Sequence, residues 1–153
     1  MRCRHCGERV GLVLVDLGSA PPSNSYLTDE GLRSPETWFP LRVLICESCW
    51  LVQTEDFADA AHLFDADFAY FSGYSSTWVE HCRIYADEAT DRFGLDHSSR
   101  VVEVGSNDGT LLNFFQGLGM KCTGIEPTTS TATVARDLGL EVLEVFLDDE
   151  VAG

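Results

Sequence analysis

Positive charge is scarce in this sequence of 153 residues. Its 10 lysine and arginine residues are outnumbered by 25 aspartate and glutamate residues, so the formal net charge is −15. Proteins that bind DNA or RNA neutralise phosphates with clustered basic side chains, and this sequence has no such cluster. We therefore expect no nucleic-acid partner.

Long apolar segments are missing as well. The longest apolar run near the start, Leu12–Val15, is interrupted by Asp16. We find no signal peptide and no run that could span a bilayer, so we expect no membrane partner. Six cysteines without a secretory signal favour metal-bound and free thiols over disulfides. These features together predict a cytoplasmic protein.

Four of the cysteines form two C-x-x-C pairs, Cys3 with Cys6 and Cys46 with Cys49. Two residues between thiolates allow each pair to chelate one ion, as in Zn(Cys)4 sites. Residues 7–45 separate the pairs, more than the roughly 15–20 residues usual in compact zinc modules. The longer loop is a mild objection, because each doubling costs only about 0.6 kcal/mol.

Two strands predicted over 10–15 and 41–45 would bring the cysteine pairs together. The sequence therefore predicts a small zinc-binding β domain over residues 1–57, with Zn²⁺ in a structural role. Disulfides and unrelated core cysteines are the alternatives. A loop over 18–25 is predicted from its Gly, Ser and Pro content.

Residues 58–98 are predicted to be a helical connecting segment. Gly94 suits a helix end, and Thr77 with Glu80 suits a capping box at its start. Apolar residues recur at helical steps and predict one buried face, formed by Trp78, Cys82, Tyr85, Ala89 and Phe93.

From residue 99 the pattern alternates between strand and helix. Strands are predicted over 100–104, 120–125 and 141–147, with helices over 110–118 and 128–138. This alternation predicts a parallel sheet with crossover helices, so the fold class is α/β with a partial doubly wound, Rossmann-like sheet over 99–153. Three strands leave the first one uncovered, which predicts a fragment of a longer protein. A partner chain that completes the sheet and a small degenerate relative are the alternatives.

The turn after the first of these strands has the layout of a nucleotide-type cofactor site. It reads Gly105-Ser106-Asn107-Asp108-Gly109, and the next strand ends at Glu126. Glycines let the backbone approach a ligand, and a carboxylate at the end of the next strand can accept hydrogen bonds from ribose hydroxyls. Asn107 and Thr110 occupy the second and third glycine positions of G-x-G-x-x-G, which disfavours NAD. An adenosine cofactor without phosphate, S-adenosylmethionine, fits better.

Individual residues of this layout have separate predicted roles. Glu103 is placed to accept a hydrogen bond from the amino group of the cofactor, and Glu126 to accept from its ribose. Asn107 and Asp108 either cap the following helix or contact the ligand. The full set of predicted cofactor-binding residues is Glu103, Gly105, Ser106, Asn107, Asp108, Gly109, Glu126 and Pro127.

Taken together, the motifs resemble the S-adenosylmethionine-dependent sugar C-methyltransferases of antibiotic deoxysugar pathways. The matching pieces are Asp16-Leu17-Gly18 with Pro22 and Asn24, Phe39-Pro40-Leu41, Cys46 to Gln53, Tyr70-Phe71-Ser72, Val102 to Leu112, and Gly124 to Pro127. The resemblance implies an N-terminal zinc-binding domain followed by the first part of a class I methyltransferase core. It also implies methyl transfer to C3 of a nucleotide-linked 4-keto-6-deoxyhexose.

The same resemblance implies that Tyr70 faces the sugar and binds its keto oxygen, with core packing as the alternative role. The family also has tyrosine two positions earlier, where this sequence has Phe68. Its general base is a histidine in a Tyr-x-Glu-His segment, and no such segment is present here. We therefore expect the front of the enzyme without its base, inactive alone. A non-catalytic zinc-binding scaffold and a nicotinamide-dependent enzyme are the competing interpretations.

Overall fold

The computed structural model describes residues 1–64 and 68–152, without the side chains of 61 and 62. The chain divides into two compact units, Met1–Leu63 and Phe64–Gly153. An antiparallel sheet lies in the first and a parallel sheet with helices in the second, which confirms the predicted α/β class. The domain boundaries predicted at 57 and 98 stay a prediction.

The first unit contains three strands, β1 (Leu12–Ala20), β2 (Phe39–Ile45) and β3 (Val52–Thr54), in the order β1-β2-β3. A short helix, α1 (Ala60–Leu63), ends this unit. Strand β1 is longer than predicted, because Ser19 and Ala20 pair with β2 instead of joining the loop. A register shift before Ser19, where Gly18 has φ 79°, lets the strand continue past the glycine.

The first unit has a small apolar core. Its buried apolar residues are Cys3, Val10, Leu44 and Cys46, with Cys49 packed against them. Along β1, by contrast, Leu12, Val13, Leu14, Val15 and Leu17 are all exposed. Two of the four buried residues are cysteines of the C-x-x-C pairs. The packing of this unit is therefore centred on the cysteines.

The second unit contains α2 (Ser76–Phe93), β4 (Arg100–Val104), α3 (Thr110–Gly117), β5 (Lys121–Ile125), α4 (Thr129–Asp137), β6 (Glu141–Leu143) and α5 (Asp149–Ala152). The strands are parallel in the order β4-β5-β6, joined by helices as predicted. Among the described residues β4 is an edge strand, and its Val102 and Val104 are exposed. Strand β6 is shorter than predicted.

Helix α2 buries only part of the predicted face, and Ala86 joins it. Cys82, Ala86 and Ala89 are buried against the core, whereas Tyr85 and Phe93 are exposed. The small alanines allow α2 to pack closely on a cluster that includes Leu112, Phe115, Met120, Cys122, Ala135 and Leu140. The bulky aromatic residues of the predicted stripe do not fit at such a contact.

The C-terminal end of α2 was predicted correctly, and its N-terminal end was not. Gly94, with φ 63°, ends the helix as expected. The start is two residues earlier than the predicted capping box, because Ser75 is the N-cap and its hydroxyl accepts the Trp78 N–H at 3.2 Å. Residues 68–71 of the segment predicted to be helical are neither helix nor strand. In the described part of the chain, no helix is long and apolar enough to cross a membrane.

Candidate functional site

The four paired cysteines lie together in the first unit. Their sulfur atoms are all within 4.8 Å of one another. Cys3 Sγ is 3.5 Å from Cys49 Sγ, and Cys6 Sγ is 3.6 Å from Cys46 Sγ. A tetrahedral ion with Zn–S bonds of about 2.3 Å requires sulfur separations of about 3.8 Å. The donor set and its spacing therefore fit a zinc ion, with all four positions filled by protein.

Both cysteine pairs sit in the same kind of turn. The N–H of Gly7 donates to the Cys3 carbonyl at 3.0 Å, and the N–H of Trp50 donates to the Cys46 carbonyl at 2.8 Å. Gly7 and Trp50 both have positive φ, 75° and 64°. A left-handed tryptophan is strained by roughly 1–3 kcal/mol. The second turn therefore adopts the backbone geometry of the first, although it has tryptophan where the first has glycine.

Backbone amides around each turn point at the sulfur atoms. The N–H of Cys6 and the side chain of Gln53 lower the pKa of Cys3 to about 6. The amides of Cys49 and Ser48 lower the pKa of Cys46. At Cys49, the Leu51 amide also lowers the pKa, but burial and the other three thiols outweigh it and raise the pKa to about 12. Four thiolates at this spacing therefore need a cation between them.

A buried glutamine supports this cluster. Gln53 is 5% exposed, and its Nε2 lies 3.4 Å from Cys3 Sγ, to which it donates. Its Oε1 accepts the N–H of Arg4 at 3.1 Å. The sequence analysis did not single out Gln53. A polar residue facing inward between the exposed Val52 and Thr54 of one strand is a signal that could have found it.

In the second unit, a cavity of about 440 Å³ opens at the carboxyl ends of β4 and β5. Ligands of open α/β sheets bind at this edge. Of the predicted cofactor residues, Gly105, Asn107, Glu126 and Pro127 line it, and so does the half-exposed Tyr70. Its volume lies within the range of small-molecule sites.

Glu126 is buried at the edge of this cavity, with both carboxylate oxygens engaged. One oxygen accepts the N–H of Asn107 at 2.8 Å. The other accepts the N–H of Thr128 at 3.0 Å and the Thr128 hydroxyl at 2.5 Å. The carboxylate therefore fixes the turn after β4 and the start of α4. Oε2, which accepts only the Asn107 N–H, has a second lone pair that a ligand hydroxyl can use.

A second, smaller cavity of about 100 Å³ lies behind the turn and is lined by Glu103, Gly105, Ser106 and Asn107. Glu103 Oε2 and Ser106 Oγ are buried and have no hydrogen-bond partner among the described residues. Burial, opposed by the Leu112 amide and reinforced by two nearby carboxylates, raises the pKa of Glu103 to about 7. An unpaired acceptor here fits an amino group or a water molecule.

Asp108 and Gly109 line neither cavity. Asp108 accepts the N–H and hydroxyl of Thr110 at 3.2 and 2.6 Å, so it holds the first residue of α3. At Gly109, with φ 77°, a Cβ would collide with Leu140 Cδ1 and lie 3.0 Å from Ala135 Cβ. This glycine is explained by packing. At Gly105, with φ 69°, a Cβ would meet open space.

Comparison with known proteins gives a consistent result. Residues 3–64 match the family model described as "Putative zinc binding domain". C-methyltransferase NovU of Streptomyces niveus is 34% identical over 149 residues, which cover 97% of this chain and 35% of that protein. The chain is therefore similar to a zinc-binding domain family in its first part and to a C-methyltransferase over almost its whole length.

The chain spans about a third of the length of this curated relative. The crystal structure of the glycopeptide N-methyltransferase MtfA matches at 25% identity with a TM-score of 0.35, over 40% of this chain and 33% of that chain. The zinc-binding family model and the similarity to NovU confirm the predicted resemblance to methyltransferases with an N-terminal zinc-binding domain.

Several residues that line the 440 Å³ cavity escaped the sequence analysis. Phe64, Trp78, Val145, Phe146 and Leu147 all line it. The apolar run 145–147 was assigned to the third strand, but the strand ends at Leu143 and the run turns to the cavity. Because loops after parallel strands carry ligand sites, their position was the available signal.

Proposed function

We propose that this chain is the zinc-binding and cofactor-binding part of an S-adenosylmethionine-dependent C-methyltransferase that acts on a nucleotide-linked 4-keto-deoxysugar. The observation that carries the proposal is the cavity at the carboxyl ends of β4 and β5, with the unpaired Oε2 of Glu103 in the smaller cavity beside it. The relationship to C-methyltransferase NovU supports the same reaction class.

In this proposal the turn residues hold the cofactor, which supplies an electrophilic methyl group when bound. Glu126 accepts from a ribose hydroxyl with the free lone pair of Oε2, and Pro127 also lines the cavity. Glu103 accepts from the amino group, assisted by the buried Ser106 hydroxyl. Gly105 leaves the backbone open to the ligand, and Asn107 lines both cavities. Asp108 and Gly109 act indirectly, Asp108 by binding Thr110 at the start of α3 and Gly109 by its packing against Leu140 and Ala135.

On the substrate side, we assign Tyr70 to the sugar. A 4-keto group acidifies the proton on C3, and its removal leaves an enolate whose oxygen needs a hydrogen-bond donor. The Tyr70 phenol lines the cavity and is half exposed, so it is free to donate to that oxygen. By the family resemblance, the base that removes the proton lies outside these 153 residues.

Zinc has a structural role in the proposal. All four coordination positions are supplied by Cys3, Cys6, Cys46 and Cys49, so none is left for a substrate. A cluster of reduced thiols is compatible with the cytoplasm, where we place the protein. The exposed edge of β4 gives room for a further strand, from later sequence or a partner chain.

The test is an NMR titration of zinc-loaded protein with S-adenosylhomocysteine and, separately, with NAD. We expect S-adenosylhomocysteine to shift the amide signals of Gly105, Asn107 and Glu126, and NAD to leave them unchanged. The opposite pattern would overturn the cofactor assignment.

A separate assay supplies S-adenosylmethionine and a panel of nucleotide-linked 4-keto-deoxysugars, with methylated sugar followed by mass spectrometry. We expect no turnover by this chain alone, because removing a general base slows such reactions by about 10²–10⁴. Repeated turnovers would show that the base lies within these residues, and Tyr70 and His81 would be the first positions to mutate.

A further inference from the structure

Two consecutive side chains of the cofactor turn bind the backbone of the segment that carries Tyr70. The Asn107 amide donates through Nδ2 to the Tyr70 carbonyl at 2.9 Å and accepts the Ser72 N–H through Oδ1 at 2.9 Å. Asp108 Oδ2 accepts the next amide, that of Gly73, at 2.7 Å. Residues 35 or more positions apart in the chain are thus joined by three hydrogen bonds.

The segment is shaped for this contact. A Cβ on Gly73 would lie 3.1 Å from Asp108 Oδ2 and 3.2 Å from Thr110 Oγ1, closer than ordinary packing allows. Asn107 has φ 51°, a left-handed conformation that asparagine tolerates better than most residues. Gly73 therefore fits the limited space at one end of the contact, and Asn107 fits the backbone conformation at the other.

Asn107 is also bound from the opposite side. Its backbone N–H donates to Glu126 Oε2, the carboxylate that the proposed function assigns to the ribose. One residue thus connects Glu126 to Tyr70 and Ser72, through its backbone and its side chain respectively. Tyr70, Ser72, Asn107 and Glu126 all line the same 440 Å³ cavity.

We propose that Asn107 is a positioning residue that couples cofactor binding at Glu126 to the placement of the Tyr70 segment. This inference rests on the proposed function. A ligand that engages Glu126 fixes the N–H acceptor of Asn107, and the Asn107 amide then holds Tyr70 at the cavity. The substrate-side phenol is thereby ordered when the cofactor is present.

The segment that carries Tyr70 has a second attachment, which serves as a comparison for a purely structural role. The Ser130 hydroxyl donates to the Phe68 carbonyl at 3.0 Å and holds the segment two residues before Tyr70. Ser130 contacts no residue of the turn through this bond. Ser130→Ala therefore removes one hydrogen bond from the segment without breaking the connection to Glu126.

The experiment compares wild type, Asn107→Gly and Ser130→Ala by hydrogen exchange of the Ser72 amide, with and without S-adenosylhomocysteine. Glycine keeps the left-handed backbone and removes only the amide. In the free protein we expect Asn107→Gly to accelerate Ser72 exchange about fivefold, the factor for losing a typical hydrogen bond. Ser130→Ala should leave Ser72 within about twofold of wild type.

With ligand, wild type and Ser130→Ala should show added protection of Ser72, and Asn107→Gly should bind without it. Protection that persists in Asn107→Gly, or free-protein exchange of Ser72 at the wild-type rate, would overturn the coupling. Absence of ligand binding to wild type would refute the proposed cofactor and the coupling with it. The free-protein comparison would then still report whether Asn107 holds the segment.

Discussion

Gln53 Nε2 lies 3.4 Å from Cys3 Sγ and donates a hydrogen bond to it. Gln53 is 5% exposed, so the bond is shielded from water, and its other amide atom accepts the Arg4 N–H inside the first turn. Outer partners of this kind orient a metal ligand and stabilise its charged form. The glutamine thus belongs to the metal centre although it contributes no ligand.

Gln53→Met should weaken zinc binding by about tenfold, because it preserves volume and removes both the donor to the Cys3 thiolate and the acceptor of the Arg4 N–H. The measurement is competition with a chromogenic chelator. Arg4→Met is the matched control, since it removes only exposed side-chain contacts at the same turn, to Asp56 and the Thr54 carbonyl. Equal affinity in all three proteins would show that the glutamine has no role in metal binding.

Cys46→Ser should reduce the zinc content from about one ion per chain and unfold much of the first unit. The reason is that metal-binding free energy is largely folding free energy in a unit with so small a core. Elemental analysis and chelator-dependent melting are the readouts. Cys82→Ala, in the core of α2, should retain one zinc. Wild-type protein that melts identically with and without chelator would contradict the structural role.

Glu126→Gln should lower stability by about 1–3 kcal/mol and weaken S-adenosylhomocysteine by about tenfold. The amide side chain offers one acceptor oxygen where two are used, so a buried N–H loses its partner. Denaturant melts and ligand titration measure the two effects. Glu141→Gln is the control, because Glu141 is exposed and accepts one hydrogen bond, from Thr123. A variant indistinguishable from wild type in both measurements would refute both roles.

Stability should depend on pH through Glu103. Its pKa is raised to about 7 in the folded protein, from an ordinary value of 4.5. Between these values the folded protein retains a proton that the unfolded chain has lost. The contribution of Glu103 to the stability of the folded protein is therefore fully present below pH 4.5 and is lost as the pH rises through about 7.

Glu103→Gln lacks this titration. Relative to the variant, wild type should lose on the order of 1 kcal/mol between pH 5 and 8, a value reduced for partial solvent access. Thermal melts of both proteins across that range give the difference. A difference that does not change with pH would show that Glu103 titrates normally.

Val102→Lys should reduce association of the chain at high concentration. Val102 is exposed on β4, an edge strand of the parallel sheet in the described residues, and a charge there opposes pairing with another chain. Sedimentation at increasing concentration measures the effect. Leu17→Lys places the same charge on the exposed strand β1 of the first unit. An effect of Leu17→Lys alone would assign association to the other sheet.

The elements that were predicted well are those specified locally. Strand β4 has the predicted bounds, and β5 and α3 differ from prediction by one residue, because a β-branched run and glycine-containing turns mark their ends. The cysteine cluster followed from spacing alone. The extension of β1 past Gly18 could not be predicted from local sequence, since its pairing partners Phe39 and Pro40 lie about twenty residues away.

The sequence analysis named the turn residues that line the cavity but not the apolar residues that form most of its walls. Glu126 and Gly105 belong to a recognisable motif, whereas Phe146 and Trp78 reach the site only through the packing of separate elements. The bonds from Asn107 to Tyr70 and Ser72 span more than thirty residues and have no periodic signature. Local patterns therefore located the motif, and only tertiary structure showed what it contacts.

The position of Gly109 against Leu140 and Ala135 has a consequence for how this group of sequences can diverge. A side chain at 109 is opposed both by the left-handed backbone and by the lack of space. Only the second obstacle can be relieved by a change elsewhere. Homologues that carry asparagine at 109, which accepts this backbone, should carry a residue smaller than leucine at 140. The two positions should therefore covary across an alignment, although neither lines the cavity.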